Sequence, residues 1–225
     1  MVEKEKHSKP CILELIGDGR PSGGTTVVTA LAKDLQERCS WQIAFASQSE
    51  SYALKEMESS GVKPFGVDFF RSRLNWRAAR ELRKIIEVLR PSLIHAHASR
   101  AAFPLSFALS KDRRFPVVYT VHSYHFLGKG LFSRYLGALA ERRCHSMADC
   151  STFVCGYDME VAREWKLLPE SRARRLIYNG IDPRDFPNPK QDSGRGVLFL
   201  GNLIQEKDRE IFFHMAALLR RRGRD

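Results

Sequence analysis

Short apolar runs alternate along the chain with stretches in which apolar residues recur at three- and four-residue steps. Residues 11–16 (CILELI) are the first such run and predict a strand. A loop with four glycines and a proline, GDGRPSGG, fills 17–24. Val28, Leu31, Ala32 and Leu35 then share one face of a helix expected over 25–38. The alternation continues with strands at 41–46, 63–67, 93–96, 116–121, 149–154 and 175–178. Helices are expected between them at 52–60, 76–89, 101–109, 131–144 and 158–165. In the second of these, Trp76, Ala79, Leu82, Ile86 and Leu89 make the buried stripe, arginines fill the other face, and Pro91 stops the helix. PVVYTV over 116–121 is apolar throughout, as a strand buried on both faces would be.

Strands that alternate with helices pair in parallel through right-handed crossovers. The expected fold is therefore α/β, a Rossmann-like doubly wound parallel sheet over residues 10–182. After Asp182 the composition turns polar, punctuated by Pro183, Pro187 and Pro189, and residues 183–195 predict a linker. GVLFL at 196–200 and a helical pattern at 209–222 open a second unit over 196–225. One strand and one helix cannot bury both faces of a sheet, so this unit is expected to be incomplete, the start of a second Rossmann-like domain.

Composition narrows the picture only in part. At 43% hydrophobic and 28% charged, the 225 residues have the balance of an ordinary globular protein. No apolar run approaches bilayer-spanning length, and polar residues 1–9 make a poor signal peptide, so a cytoplasmic location is expected. The five cysteines form no Cys-x-x-Cys pair and are expected to be reduced packing residues. The net charge of +11 favours anionic partners without choosing among nucleic acid, lipid and phosphorylated ligands. Much of the excess lies between Arg71 and Arg90 and in the tail Arg220, Arg221, Arg222 and Arg224, where solvated helix faces explain it equally well. Between Phe126 and Arg143, Leu131, Phe132, Tyr135 and Leu139 are interleaved with Lys129, Arg134 and Arg142. That mixture suits either a core helix or a surface that docks on anionic lipid.

Four constellations can carry chemistry. Gly23, Gly24 and Thr25 end the glycine loop where a helix begins, which is anion- and sugar-binding geometry at a strand's carboxyl end. A plain turn capped by Ser22 or Thr25 is the alternative. The spacing is neither the dinucleotide fingerprint nor a Walker A loop. His95 and His97 close one strand and His122 another, so His97 and His122 are expected to share a crevice, where a histidine can donate a hydrogen bond to a hydroxyl or phosphate or titrate near neutral pH. His95 and His125 are expected to be structurally satisfied. No carboxylate or cysteine joins the set at metal-ligand spacing, and no metal or cofactor is expected. Asn179-Gly180 is a turn signal. Last, Asn202 and Lys207 lie in a loop between a strand and a helix, where a lysine meets a phosphate or simply faces solvent.

Taken in order, the Gly-Gly loop, the His-Ala-His and Thr-Val-His strand ends, Ala148-Asp149 with Cys155, Tyr-Asn-Gly-Ile-Asp at 178–182 and the Gly-x-Leu-x-x-Glu-Lys loop at 201–207 resemble the family 4 glycosyltransferases of the GT-B fold. The resemblance implies two Rossmann-like domains facing a cleft, the first for a glycan or lipid-linked acceptor and the second for a nucleotide-sugar donor. It implies transfer with retention and without a metal. It places Gly23 and Gly24 near the donor phosphates, His122 beside the transferred sugar, Asn179 and Gly180 at the turn to the hinge, and Lys207 on the donor diphosphate. Two departures stand out: Asn202 replaces the family's arginine, and Asp208 follows the lysine where members carry glycine. The family's paired glutamates would lie beyond Asp225, so the 225 residues alone are expected to be inactive. The alternative is a non-catalytic acceptor-binding module. No specific nucleic-acid partner is expected, and a dinucleotide-dependent oxidoreductase would need the fingerprint that is missing.

Overall fold

The computed structural model describes residues 9–39, 41–71, 75–109, 114–185, 197–199 and 208–223. The chain divides into two compact units, one ending at Gly180 and one beginning at Ile181.

The first unit alternates strands and helices without exception: β1 (Cys11–Ile16), α1 (Gly23–Arg38), β2 (Gln42–Gln48), α2 (Tyr52–Ser59), β3 (Lys63–Val67), α3 (Trp76–Leu89), β4 (Leu93–His97), α4 (Ala98–Ala108), β5 (Val117–Val121), α5 (Leu131–Met147), β6 (Cys150–Phe153), α6 (Gly156–Glu164) and β7 (Ala173–Leu176). Side-chain caps set several of the helix starts: Ser22, Ser51 and Asn75 each accept from the backbone N–H three residues on. Arg90, in the left-handed region at φ 44°, ends α3 just before Pro91.

The strands form one parallel seven-stranded sheet in the order β3-β2-β1-β4-β5-β6-β7. Strand order reverses between β1 and β4, which run side by side, and a doubly wound sheet places its ligand crevice at such a switch point. Alternate residues of each strand serve different layers. Leu13, Leu15, Ile94, Ala96, Tyr119, Val121 and Phe153 join buried residues of α3, α4 and α5 in the larger core. Ile12, Ile16, Ile43 and Phe45 pack under α1 and α2 in the smaller one. On that second face Ile16 stands in register with His97, His97 with Thr120, and Thr120 with Thr152. The α1–α2 face thus turns from apolar to polar on passing from β1 to β4.

One strand differs from its expected place. Residues 175–178 predict β7, but the ladder with β6 pairs Cys150–Phe153 with Ala173–Leu176. Leu176, Ile177 and Tyr178 are exposed rather than buried, so their apolar run reflects no core position.

In the second unit Pro183–Asp185 make one 3-10 turn and α7 (Arg209–Arg221) carries no buried residue. Phe199 and Phe212 rings lie 5.2 Å apart. The strand expected at 196–200 is absent from the described part, 197–199. Most of the expected linker, the rest of that strand, and both Asn202 and Lys207 lie outside the described residues. Among the described residues no helix is long and apolar enough to cross a membrane.

Candidate functional site

A chain of polar side chains crosses the switch point from β1 to β6. Glu14, buried in the middle of the apolar β1 run, accepts on Oε2 from His97 Nε2 at 2.9 Å and from His95 Nδ1 at 3.1 Å. His95 Nε2 meets Thr120 Oγ1 at 2.7 Å, and Thr120 in turn meets Thr152. On the other branch His97 Nδ1 faces His122 Nε2 at 3.1 Å, and His122 stands just past the carboxyl end of β5, half-buried. His97 and His122 therefore share one place. His95 is satisfied by Glu14 and Thr120, and His125, exposed, meets Ser123 at 3.3 Å.

The expectation that no carboxylate joins these histidines is overturned. Glu14 is 81 and 83 residues from its partners, and the β1–β4 pairing supplies what sequence spacing could not. Glu14 Oε2, His95 Nδ1 and His97 Nε2 are close enough to hold a cation, all lying within 4.8 Å of one another. They are also complementary without one, since a carboxylate is acceptor-only and each imidazole offers it an N–H.

The electrostatics follow from burial and partners. Burial works to raise the Glu14 carboxyl, but the charge of His95 and hydrogen bonds from both histidines overcome it and hold the group down to about 2. Burial, with neighbouring His95, lowers His97 to about 4, and burial also lowers His122. At neutral pH Glu14 is an anion and His97 and His122 are neutral.

The side-chain cap expected at the end of the glycine loop above β1 is present. Ser22 is the cap of α1, its Oγ accepting from Thr25 N at 3.2 Å. The Thr25 side chain is buried and its hydroxyl donates to the carbonyls of Arg20 and Asp18, so it braces the loop from within. Gly23 and Gly24 face open space: a Cβ on either would meet nothing within 4 Å. The close approaches are at Gly17, where a Cβ would fall 2.3 Å from Arg100 Cγ, and at Gly19, where it would fall 2.2 Å from Ser51 Oγ. Neither contact is visible locally, because each comes from a distant segment. Asn179 and Gly180 are exposed and outside any strand.

The larger core holds a second polar cluster. Tyr119 donates to Glu141 Oε2 at 2.7 Å, Ser99 also bonds Glu141, and His145 joins Tyr124 at 2.7 Å to Ser151 at 2.8 Å. Burial, helped by the Asp158 charge, pushes Glu141 up to about 7 against the hydrogen bonds from Tyr119 and Ser99. Burial lowers His145 to about 4.

The sequence signature of Glycosyltransferase Family 4 matches residues 21–185. Among curated protein sequences none matches the chain. Among solved structures, the HepE protein of Anabaena in complex with UDP-glucose superposes with a TM-score of 0.60 at 16% identity, over 76% of this chain and 44% of that one. Sucrose-phosphate synthase from Thermosynechococcus elongatus gives 0.62 at 14% identity, over 79% of this chain and 50% of its own. A glycosyltransferase from Rickettsia africae gives 0.55 at 16% identity, over 78% and 44%. This likeness is one of fold, and the chain spans half or less of each of these neighbours.

Proposed function

Because the chain belongs to glycosyltransferase family 4, we propose that its first unit is the acceptor-binding half of an enzyme that moves a sugar from a nucleotide-sugar donor to a glycan or lipid-linked acceptor, with retention and without a metal. The observation that carries this reading is the switch point itself. The first turn of α1, whose leading N–H groups point outward from a helix start, and the half-buried His122 ring follow the carboxyl ends of β1 and β5, the two strands that flank β4. Gly23 and Gly24, open to approach, and His122 are the residues assigned to the ligand, and Asn179 and Gly180 to the turn beyond the first unit. His97 and Thr25 support the site from behind, since their polar atoms are committed within the protein. Asn202 and Lys207 are assigned to the donor diphosphate on the family's pattern alone. HepE, a neighbour in fold, binds UDP-glucose and UDP, which favours a uridine-diphosphate donor among the first to be tried.

The test is a panel of UDP- and GDP-sugars with pooled acceptors, read by mass spectrometry on the product of the complete reading frame and on residues 1–225. Donor-dependent transfer by the complete product, reduced about 100-fold or more in His122→Ala, is expected. Residues 1–225 alone should bind acceptor without transferring. No transfer by the complete product would reject the reading, and transfer by 1–225 would show that the donor half is not needed.

A membrane-facing acceptor is favoured by α5. Leu131 is 84% and Phe132 76% exposed, and Tyr135, Leu136 and Leu139 extend the same apolar surface beside exposed Lys129. Core residues Ala138, Glu141, Cys144 and His145 occupy the other side of that helix. Docked on anionic lipid at the cytoplasmic face, this surface would bring a lipid-linked acceptor to the site. Flotation with anionic vesicles should show salt-sensitive binding that Leu131→Asp with Phe132→Asp abolishes. Equal binding to neutral vesicles, or binding indifferent to these substitutions, would remove the membrane from the account.

A further inference from the structure

The orientation of His122 is dictated from inside the sheet. Glu14 carries a full negative charge and no proton, so the His97 nitrogen it meets, Nε2, must be the one that bears hydrogen. A neutral His97 then has only a lone pair at Nδ1. The His122 nitrogen 3.1 Å away, Nε2, must in turn be the donor. That leaves Nδ1 of His122 as a lone pair, and among the described residues it has no hydrogen-bond partner. The order of donation is therefore fixed along the whole branch: His122 to His97, His97 to Glu14. A histidine whose second nitrogen is held by a carboxylate is a familiar device for setting tautomer, here transmitted through one additional ring.

We propose that Glu14 is a positioning residue: acting through His97, it locks His122 in the Nε2–H form, so that His122 presents a lone pair to the crevice and accepts a hydrogen bond from a ligand hydroxyl. This differs from the donor role that a histidine at a strand end can also take toward a hydroxyl or a phosphate. A neutral Nδ1 repels a phosphate oxygen, so the group placed beside it is a sugar or acceptor hydroxyl. The ligand half of the inference rests on the glycosyltransferase reading; the tautomer half does not, and the experiment reads the tautomer alone.

Long-range proton–nitrogen correlation spectra of histidine-labelled 1–225 distinguish the two neutral tautomers ring by ring. The seven histidines are separable by single substitutions, His122 being assigned by the signal lost in His122→Gln. At neutral pH both His97 and His122 are expected wholly as Nε2–H. Finding either as Nδ1–H, or His122 as an even mixture, overturns the proposal without any need for a core variant. In Glu14→Met the anchor is gone and His122 should lose its single-tautomer signature while the remaining spectrum stays folded. His122 unchanged in a folded Glu14→Met protein would show that Glu14 does not set it. Should Glu14→Met not fold, His97→Phe is the substitute: His122 staying wholly Nε2–H there would break the relay just as decisively. Added zinc gives a further control. A shift of both His95 and His97 to metal-bound signals at stoichiometric zinc would replace the relay by a metal centre. An unchanged spectrum leaves the relay in place.

Discussion

Glu14 and Glu141 are both buried, and both lie against the same sheet, on opposite faces of it. Their environments drive them apart. Glu14 is surrounded by imidazole N–H groups, and its carboxyl is held down to about 2 against the pull of burial. Glu141 has hydroxyl donors from Tyr119 and Ser99 and a carboxylate, Asp158, nearby, so burial wins and its carboxyl rises to about 7. The neighbours on β5 mark the division: Tyr119 points to Glu141, and Thr120, one residue on, to His95. The Glu14 network runs outward through His97 to the half-buried His122 ring, whereas Glu141 is held by the buried Tyr119 and by the half-buried Ser99 at the start of α4. Burial alone does not make a carboxyl functional. What separates the two is the charge state their partners impose.

The largest separation should appear on neutralising each glutamate. Glu14→Gln removes a charge that two imidazoles address, and charge-assisted hydrogen bonds contribute more than neutral ones, so a loss of about 3 kcal/mol is expected in urea unfolding at pH 7. Glu141→Gln imitates the protonated acid and keeps an acceptor for Tyr119, so it should change stability by less than about 1 kcal/mol at pH 4.5 and should stabilise rather than destabilise at pH 7, where the raised wild-type carboxyl begins to ionise. Equal losses would mean that the two sites are alike.

The same contrast has a sign in pH. Glu141 has its folded value raised, so its contribution to stability is present below the unfolded value and falls as pH rises from 4.5 through about 7. The stability of wild type relative to Glu141→Gln should fall across that window by about 1.4 kcal/mol per pH unit. Glu14, held low, contributes stability above 4.5 that is lost as pH falls toward about 2. His97 and His145, both lowered to about 4 from 6.5, act with Glu14: each makes the fold less stable as pH falls through that interval. A difference curve for Glu141→Gln that is flat from pH 4.5 to 7 would remove the raised carboxyl.

How far this was legible in sequence depends on the range of the interaction. The strands and helices were, because period and capping act within one turn or one strand: the cap at Ser22 and the apolar β5 run are local signals. That His97 and His122 meet was legible too, since both sit at strand ends. Glu14 was not. It looks like one polar interruption in CILELI, and only the parallel pairing of β1 with β4 reveals its partners. The glycines repeat the lesson. Gly23-Gly24 attracts notice as a pair, while Gly17 and Gly19 are the crowded positions, against Arg100, Ser47 and Ser51 from other elements.

A smaller effect separates adjacent residues of β5. Tyr119→Phe deletes one hydrogen bond to Glu141 and should cost about 1 to 2 kcal/mol, leaving the His122 signals where they are. Thr120→Val keeps the volume but removes the hydroxyl between His95 and Thr152, for a similar cost, and should move the His95 signals instead. Perturbation of His122 by Tyr119→Phe would show that the two faces communicate and would dissolve the distinction between them.

The smallest expected effect on stability, and the most direct probe of the open side, is at Gly24. It lies in the first turn of α1 with nothing within 4 Å of a would-be Cβ, so alanine there strains no contact. Replacing a helical glycine by alanine gains up to about 1 kcal/mol from propensity, less at an end than in the interior. Gly24→Ala should therefore unfold at the same or slightly higher denaturant. Gly19→Ala, forced against Ser47 Oγ at 2.5 Å and Ser51 Cβ at 2.5 Å, should unfold earlier. Space that no protein atom fills is available to a ligand, so the bulkier Gly24→Val should keep its folded circular dichroism yet weaken acceptor or nucleotide binding in calorimetry. If Gly24→Val binds as wild type does, the loop end is an ordinary helix start. The open side of the sheet would then present His122 alone to the ligand.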